Sequence, residues 1–142
     1  MRRIMAFGTF DLLHPGHVKY LDAARKLGDY LVVTITTDKN VEKLKGKKPV
    51  NGEGDRAFLV GSLKCVDLAV VGVESDFYGI VRKFFPTVLA LGHDMAEKEL
   101  EVKKELSLRG IDCEVTRMPA FEPEKNKSSK IKNRISDLQK NN

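Results

Sequence analysis

One stretch decides the fold of this 142-residue chain: Gly8-Thr9-Phe10-Asp11-Leu12-Leu13-His14-Pro15-Gly16-His17. Residues 2–7 precede it, and their apolar centre predicts a short buried strand. Pro15 fits the first turn of a helix, where its missing N–H is no loss. Apolar residues then recur at helical spacing, namely Val18, Leu21, Ala24 and Leu27. The stretch therefore predicts a strand, a tight turn at Gly8 and a helix that Gly28 ends.

Two histidines lie three residues apart at the start of that helix. His14 and His17 share one face of its first turn. A helix N-terminus carries unpaired N–H donors and a partial positive charge, so it is a natural phosphate site. The pair therefore favours a site that holds nucleotide phosphates during a transfer reaction. Two other interpretations stay open: a capping or surface histidine, and half of a metal site whose third ligand would be His93, Asp94 or a cysteine.

The rest of the chain alternates strand and helix patterns. Strands are predicted over residues 30–36, 68–72, 87–91 and 113–118, and helices over 56–65, 77–85 and 96–109, the last ended by Gly110. Continuous apolar strands between helices predict an α/β fold with a single doubly wound, mostly parallel five-stranded sheet. Such sheets bind ligands at the carboxyl ends of their strands, where the strand order reverses. The stretch at 8–17 and Gly92-His93-Asp94 both follow strands, so we expect them at that edge.

Two further segments offer phosphate contacts. Residues 37–55 are predicted as the longest irregular stretch, and Lys45, Lys47 and Lys48 make it basic. Such a loop could close over a triphosphate, or its lysines could serve only solubility. Ser128 and Ser129 precede a short helical pattern. Either serine could be the N-cap of that helix, or their hydroxyls could bind phosphates at a second helix N-terminus. Beyond about residue 138 we expect a frayed tail.

The composition sets outer limits on the class of protein. Hydrophobic residues at 42% and charged residues at 32% indicate one globular domain over residues 1–142. No apolar stretch is long enough to cross a bilayer or to serve as a signal peptide, so we expect a cytoplasmic protein without a membrane partner. Cys65 and Cys113, outside any C-x-x-C pair, are expected to be buried reduced thiols. The net charge of +5 favours anionic partners, but acids mixed among the basic residues argue against nucleic acid.

At this point the residues resemble a known family. Gly8 to Asp11 followed by His14 to His17 is similar to the G-x-F-D-x-x-H-x-G-H signature of the cytidylyltransferase-like nucleotidyltransferases. The resemblance covers about residues 2–135 and implies a Rossmann-like domain of the HIGH type. Within the family the chain most resembles the small archaeal FAD synthases, which transfer AMP from ATP to FMN. The stretches that support this are Lys45-Gly46-Lys47-Lys48-Pro49, Leu91-Gly92-His93-Asp94 and Ser128-Ser129-Lys130-Ile131.

The resemblance implies a role for each site residue. It makes His14, His17 and Lys48 catalytic and assigns Asp11 and Arg56 to the acceptor. The residues that it assigns to the nucleotide are Gly8, Thr9, Phe10, His14, Pro15, Gly16, His17, Asp94, Ser128 and Ser129. It implies a divalent cation, most simply Mg²⁺, held through the nucleotide phosphates without a dedicated protein site. A homodimer is implied as well.

Two alternative functions remain. The first is cytidylyl transfer from CTP to glycerol 3-phosphate or another small phosphorylated alcohol. That branch usually carries Arg-Thr-x-Gly-Ile-Ser-Thr-Thr, and this chain lacks its arginine, threonine and glycine near Ser128. The second is a binder of nucleotides or nucleic acid without catalysis, against which the intact His14, His17 and Asp94 argue. The leading interpretation is therefore FMN adenylylation by direct attack on the α-phosphate.

Overall fold

A computed structural model describes residues 1–92 and 98–119 of the protein. A five-stranded sheet forms its centre. The strands are β1 (Arg3–Gly8), β2 (Tyr30–Ile35), β3 (Leu68–Val71), β4 (Val88–Leu91) and β5 (Glu114–Arg117). Every neighbouring pair runs parallel, in the order β3-β2-β1-β4-β5. The α/β fold class is confirmed, and the sheet is entirely parallel. The predicted strands agree with the observed ones to within a residue or two.

Helices cover both faces of this sheet. Those in the described ranges are α1 (Pro15–Arg25), α2 (Asp38–Lys45), α3 (Glu53–Gly61), α4 (Phe77–Phe84) and α5 (Glu99–Leu108). One core cluster packs Leu21 of α1 and Val60 of α3 against the sheet. The other packs Val81 of α4 and Val102 of α5 against the opposite face. The chain changes face after β3, so the strand order reverses between β1 and β4, where ligands of doubly wound sheets bind.

The prediction of an irregular stretch over residues 37–55 is wrong for its first half. The helix α2 occupies residues 38–45, because the Thr37 hydroxyl caps it by accepting from the Asn40 N–H at 3.2 Å. Gly46, at a φ of 75°, ends it in the left-handed conformation. The helix buries only Val41, so it has no apolar stripe from which to predict it. Residues 46–52 are what remains irregular.

The predicted bounds of α3 are also corrected. The helix begins at Glu53 rather than Arg56 and ends at Gly61 rather than at residue 65. Glu53 and Asp55 lie in its first turn, where acidic side chains stabilise the positive end of the helix dipole. Arg56 therefore lies inside the helix instead of opening it, and it points into the protein.

Gly28 does not end α1. The helix stops at Arg25, with Lys26 as a right-handed cap, and Gly28 lacks a positive φ. A Cβ at Gly28 would lie 2.4 Å from the backbone oxygen of Arg2 and 2.9 Å from Cδ1 of Ile4. Glycine is required there because the chain passes directly against β1.

The described residues also include Gly110 and both cysteines. Gly110, at a φ of 69°, follows the end of α5 as predicted. Cys65 and Cys113 are free thiols, but both are half-buried rather than buried. Across residues 1–92 and 98–119, no helix is long and apolar enough to span a membrane. The predicted helix after Ser129 and the frayed tail lie outside the described residues.

Candidate active site

The signature stretch crosses the carboxyl edge of the sheet between β1 and α1. It starts at Gly8, the last residue of β1, whose carbonyl oxygen accepts from the Thr36 N–H at 3.0 Å. It ends in the first turn of α1, at His17. The parallel strand β2 ends beside it and leads into α2. The first turn of α1 therefore lies at the edge where the strand order predicts a ligand.

His14 caps α1 with its own side chain. Its backbone is extended, and its Nδ1 accepts a hydrogen bond from the Gly16 N–H at 3.1 Å. With Nδ1 used as an acceptor, the neutral ring carries its proton on Nε2. Burial lowers the pKa of His14 below its usual 6.5. His14 is thus a neutral imidazole that carries a hydrogen-bond donor at Nε2.

His17 stacks directly on His14. The two ring centroids are 3.7 Å apart, with 23° between the planes. Burial, the neighbouring His14 and the charge of Lys45 together lower the pKa of His17 to about 3. Within the described part of the chain, the buried Nδ1 of His17 has no hydrogen-bond partner. The site therefore presents two neutral imidazoles at the positive end of a helix.

Phe10 packs against the histidine pair through His17. It is 3% exposed, and its ring contacts His17 edge-on, with the centroids 5.2 Å apart. Its φ of 53° is rare for an aromatic residue and indicates local backbone strain. A Cβ at Gly8 would lie 2.6 Å from the Phe10 ring, so glycine at position 8 makes room for this packing. The roles of Gly8, Thr9 and Phe10 towards the nucleotide stay predictions.

Asp11 faces the protein rather than an open site. It is 4% exposed, and its carboxylate accepts from the backbone N–H groups of Val50 and Asn51 at 2.9 and 2.8 Å. The Asn51 side chain donates back to the Asp11 carbonyl oxygen at 2.9 Å. Asp11 therefore ties the signature stretch to the segment that follows α2.

Arg56 is fully buried, at 0% exposure. Its Nε donates to the Asn51 carbonyl at 2.9 Å and its Nη1 to the Thr9 carbonyl at 2.8 Å. Its Nη2 forms an ion pair with the Asp38 carboxylate at 2.7 Å. All three guanidinium nitrogens are thus bonded within the protein. The acceptor role predicted for Arg56 and Asp11 stays a prediction, and both side chains organise the loops around the site.

The lysines predicted for phosphate contact lie at the end of α2 and in the segment that follows it. Lys45 is the last residue of α2, and its charge acts on the His17 ring. Lys47 and Lys48 follow in the segment between Gly46 and Val50, and both are exposed. Lys45 therefore lies close enough to influence the histidine pair, and the phosphate contacts of all three lysines stay predictions.

Three predicted site residues, Asp94, Ser128 and Ser129, lie outside the described residues. Two residues that contact the site, Asn51 and Asp38, were not predicted from the sequence. The Pro49-Val50-Asn51-Gly52 run is a turn signal that could have drawn attention to Asn51. Nothing local in the sequence marks Asp38 as a partner for Arg56.

Residues 5–134 match the family described as cytidylyltransferase-like. The chain belongs to the cytidylyltransferase-like family. A relative from Picrophilus torridus named FAD synthase is 40% identical over 136 residues, which cover 96% of this chain and 97% of that one. One from Ferroglobus placidus with the same name is 45% identical over 139 residues, which cover 97% and 90%.

A solved structure supports the cytidylyltransferase-like fold. It is described as a lipopolysaccharide core biosynthesis protein from Thermoplasma volcanium and is 37% identical to this chain. It superposes with a TM-score of 0.82 over 86% of this chain and 99% of its own. The family match takes in the whole signature stretch together with Asn51 and Arg56. These contacts therefore lie in the part of the chain that the family shares.

Proposed function

We propose that this protein is an FAD synthase, which transfers AMP from ATP to FMN and releases pyrophosphate. The observation that carries the proposal is the stacked, neutral His14–His17 pair at the start of α1, at the edge where the strand order reverses. The names of the relatives from Picrophilus torridus and Ferroglobus placidus support ATP and FMN as the substrates.

The proposed chemistry is a single in-line displacement. An oxygen of the FMN phosphate attacks the α-phosphorus of ATP, the bond from that phosphorus to the bridging oxygen breaks, and pyrophosphate leaves. This step needs no covalent enzyme intermediate, because positioning and charge stabilisation supply most of the catalysis in phosphoryl transfer. The Nε2–H of His14 donates to an α-phosphate oxygen, where negative charge builds up, and the positive end of the α1 dipole adds to this stabilisation.

The other proposed contacts complete the nucleotide site. His17 lies against the same phosphates, and Lys48, with Lys45 and Lys47 nearby, neutralises the leaving pyrophosphate. Asp94 binds the nucleoside, while Ser128 and Ser129 bind the outer phosphates. Pro15 and Gly16 shape the first turn of α1. The runner-up, cytidylyl transfer, would use the same groups for CTP.

The proposal includes a divalent cation, Mg²⁺. In the described part of the chain, no three His, Cys, Asp or Glu side chains come together as a metal cage. Mg²⁺ usually binds to nucleotides through phosphate oxygens and water, and we propose the same mode here. When bound, the ion neutralises part of the phosphate charge. The homodimer and the cytoplasmic location stay predictions, the latter supported by the free thiols of Cys65 and Cys113.

A two-by-two assay tests the substrates. Pyrophosphate release is measured with Mg²⁺, using ATP or CTP, each paired with FMN or glycerol 3-phosphate. We expect release with ATP and FMN alone, together with a product that co-elutes with FAD. Release only with CTP and glycerol 3-phosphate would replace the proposal by the cytidylyl alternative. No release in any of the four reactions would contradict both.

A further inference from the structure

We infer that Asn51 is a positioning residue, which holds the lysine-bearing segment of residues 46–51 against the signature stretch in the geometry that phosphate binding requires. The inference rests on the proposed function, because the segment matters for catalysis only if its lysines meet a nucleotide. The contacts of Asn51 carry it.

Three polar groups of Asn51 are bonded to the site. Its N–H donates to the Asp11 carboxylate at 2.8 Å, and its Nδ2 donates to the Asp11 carbonyl at 2.9 Å. Its own carbonyl accepts from Nε of Arg56 at 2.9 Å. These bonds reach forty positions back in the chain and five forward. Asn51 therefore joins the signature stretch to α3, and its Nδ2 bond is the one that depends on the asparagine side chain, since any residue offers the backbone N–H and carbonyl.

Arg56 closes the same connection from the other side. The guanidinium that holds the Asn51 carbonyl also holds the Thr9 carbonyl at 2.8 Å and the Asp38 carboxylate at 2.7 Å. Because this guanidinium is fully buried, its hydrogen bonds are shielded from water and are hard to replace. One side chain thus fixes the signature stretch, the start of α2 and the end of the lysine segment relative to one another.

Among the described residues, the lysine segment is held at its start by the Gly46 N–H, which donates to the Glu42 carbonyl at 2.8 Å, and at its end by Val50 and Asn51. Val50 is 64% exposed, and Lys47 and Lys48 are exposed, so apolar burial does not fix the segment. Its hydrogen bonds to Asp11 and Arg56 therefore set where Lys47 and Lys48 lie. Displacing a charge by about 1 Å is enough to weaken transition-state stabilisation severely. Asn51 acts on the reaction through these lysines without touching the substrate.

The first test compares Asn51→Ala with the matched control Asn40→Ala. Asn40 also donates its Nδ2 to a backbone oxygen, that of Glu74 at 3.1 Å, but this bond is exposed and lies outside the site. We expect hydrogen exchange of the backbone amides at positions 50 and 51, and trypsin cleavage after Lys47, to speed up about tenfold in Asn51→Ala alone. Equal exchange and cleavage in both variants would overturn the inference. This readout needs no substrate, so it stands even if the wild type makes no FAD.

The second test is a double-mutant cycle with the lysines. For FAD formation, we expect Asn51→Ala to lower kcat/KM for ATP about tenfold, while Asn40→Ala leaves it unchanged. The double variant Lys47→Met, Lys48→Met should lower kcat/KM, and adding Asn51→Ala to it should lower kcat/KM by less than about twofold more. Independent, multiplicative losses would show that Asn51 does not act through the lysines and would overturn the inference. An unchanged kcat/KM in the lysine variant would do the same. Wild-type protein inactive with ATP and FMN would instead remove the proposed function.

Discussion

The imidazole rings of His14 and His17 lie stacked, with their centroids 3.7 Å apart. Two positive charges on rings this close would repel each other, and burial further disfavours the charged form of each ring. The pair is therefore neutral, so it can act through hydrogen bonds but not as a pair of cations. The fixed positive charge beside the pair comes from Lys45 and from the start of α1.

Replacing His14 separates its capping role from its catalytic role. Asparagine is a good N-cap, so His14→Asn should keep the hydrogen bond to the Gly16 N–H, while His14→Ala should lose about 1 kcal/mol of unfolding free energy. Both variants lack the Nε2–H, so kcat should fall by about 10²-fold or more in each. Urea unfolding and FAD formation measure the two effects. Full activity in His14→Asn would contradict the donor role of the imidazole.

The depressed pKa of His17 makes the stability of the protein depend on pH. Its pKa is about 3 in the folded state against the usual 6.5 of a histidine in the unfolded chain, so between these values only the unfolded chain takes up the proton. Stability should therefore fall on acidification from about pH 6.5 towards 3, by at most about 1.4 kcal/mol per pH unit, and should be unaffected by His17 above that range. His17→Gln should reduce this slope, leaving the smaller contribution of His14. Urea titrations at about pH 7.5, 6.0 and 4.5 measure it, and identical slopes in wild type and variant would contradict the assignment.

The sequence predicts the fold well because the relevant signals are local. The apolar run before Gly8 and the Pro15 start of α1 placed the first strand and helix at or within a residue of their observed starts. The helix α2 was missed because it buries a single residue, Val41, and so lacks a periodic apolar face. Its stability comes from its Thr37 cap and Gly46 stop instead.

The site is less predictable, because its contacts join distant positions. The histidines follow from the helix start, but the partners of Asp11 lie about forty residues further along. A buried arginine also looks the same in sequence as one that faces a substrate. The sequence predicts that Arg56 contacts the acceptor. The structure shows that its three guanidinium nitrogens donate to the Asn51 and Thr9 carbonyls and to the Asp38 carboxylate.

Arg56→Lys should destabilise the protein strongly although it keeps the charge. A single ammonium cannot reach the Thr9 carbonyl, the Asn51 carbonyl and the Asp38 carboxylate together, so buried acceptors lose their donors. We expect a loss of about 2–4 kcal/mol of unfolding free energy. The control Arg82→Lys, at an exposed arginine that donates to the Arg109 carbonyl at 2.9 Å, should change it by less than about 0.5 kcal/mol. Similar unfolding free energies for the two variants would show that the buried contacts of Arg56 contribute little.

Two glycines should respond to alanine in opposite directions. At Gly28 a Cβ would meet the Arg2 carbonyl oxygen at 2.4 Å, and that oxygen also accepts from the Asp29 N–H, so it cannot move without disturbing β1. Gly28→Ala should therefore cost about 1–3 kcal/mol of unfolding free energy. At Gly54, inside α3, a Cβ meets nothing within 4 Å, so Gly54→Ala should add about 0.5 kcal/mol through its better helix propensity. Thermal and urea unfolding of the two variants side by side measure this, and a Gly28→Ala protein as stable as the wild type would mean that the strand and the turn can separate without loss.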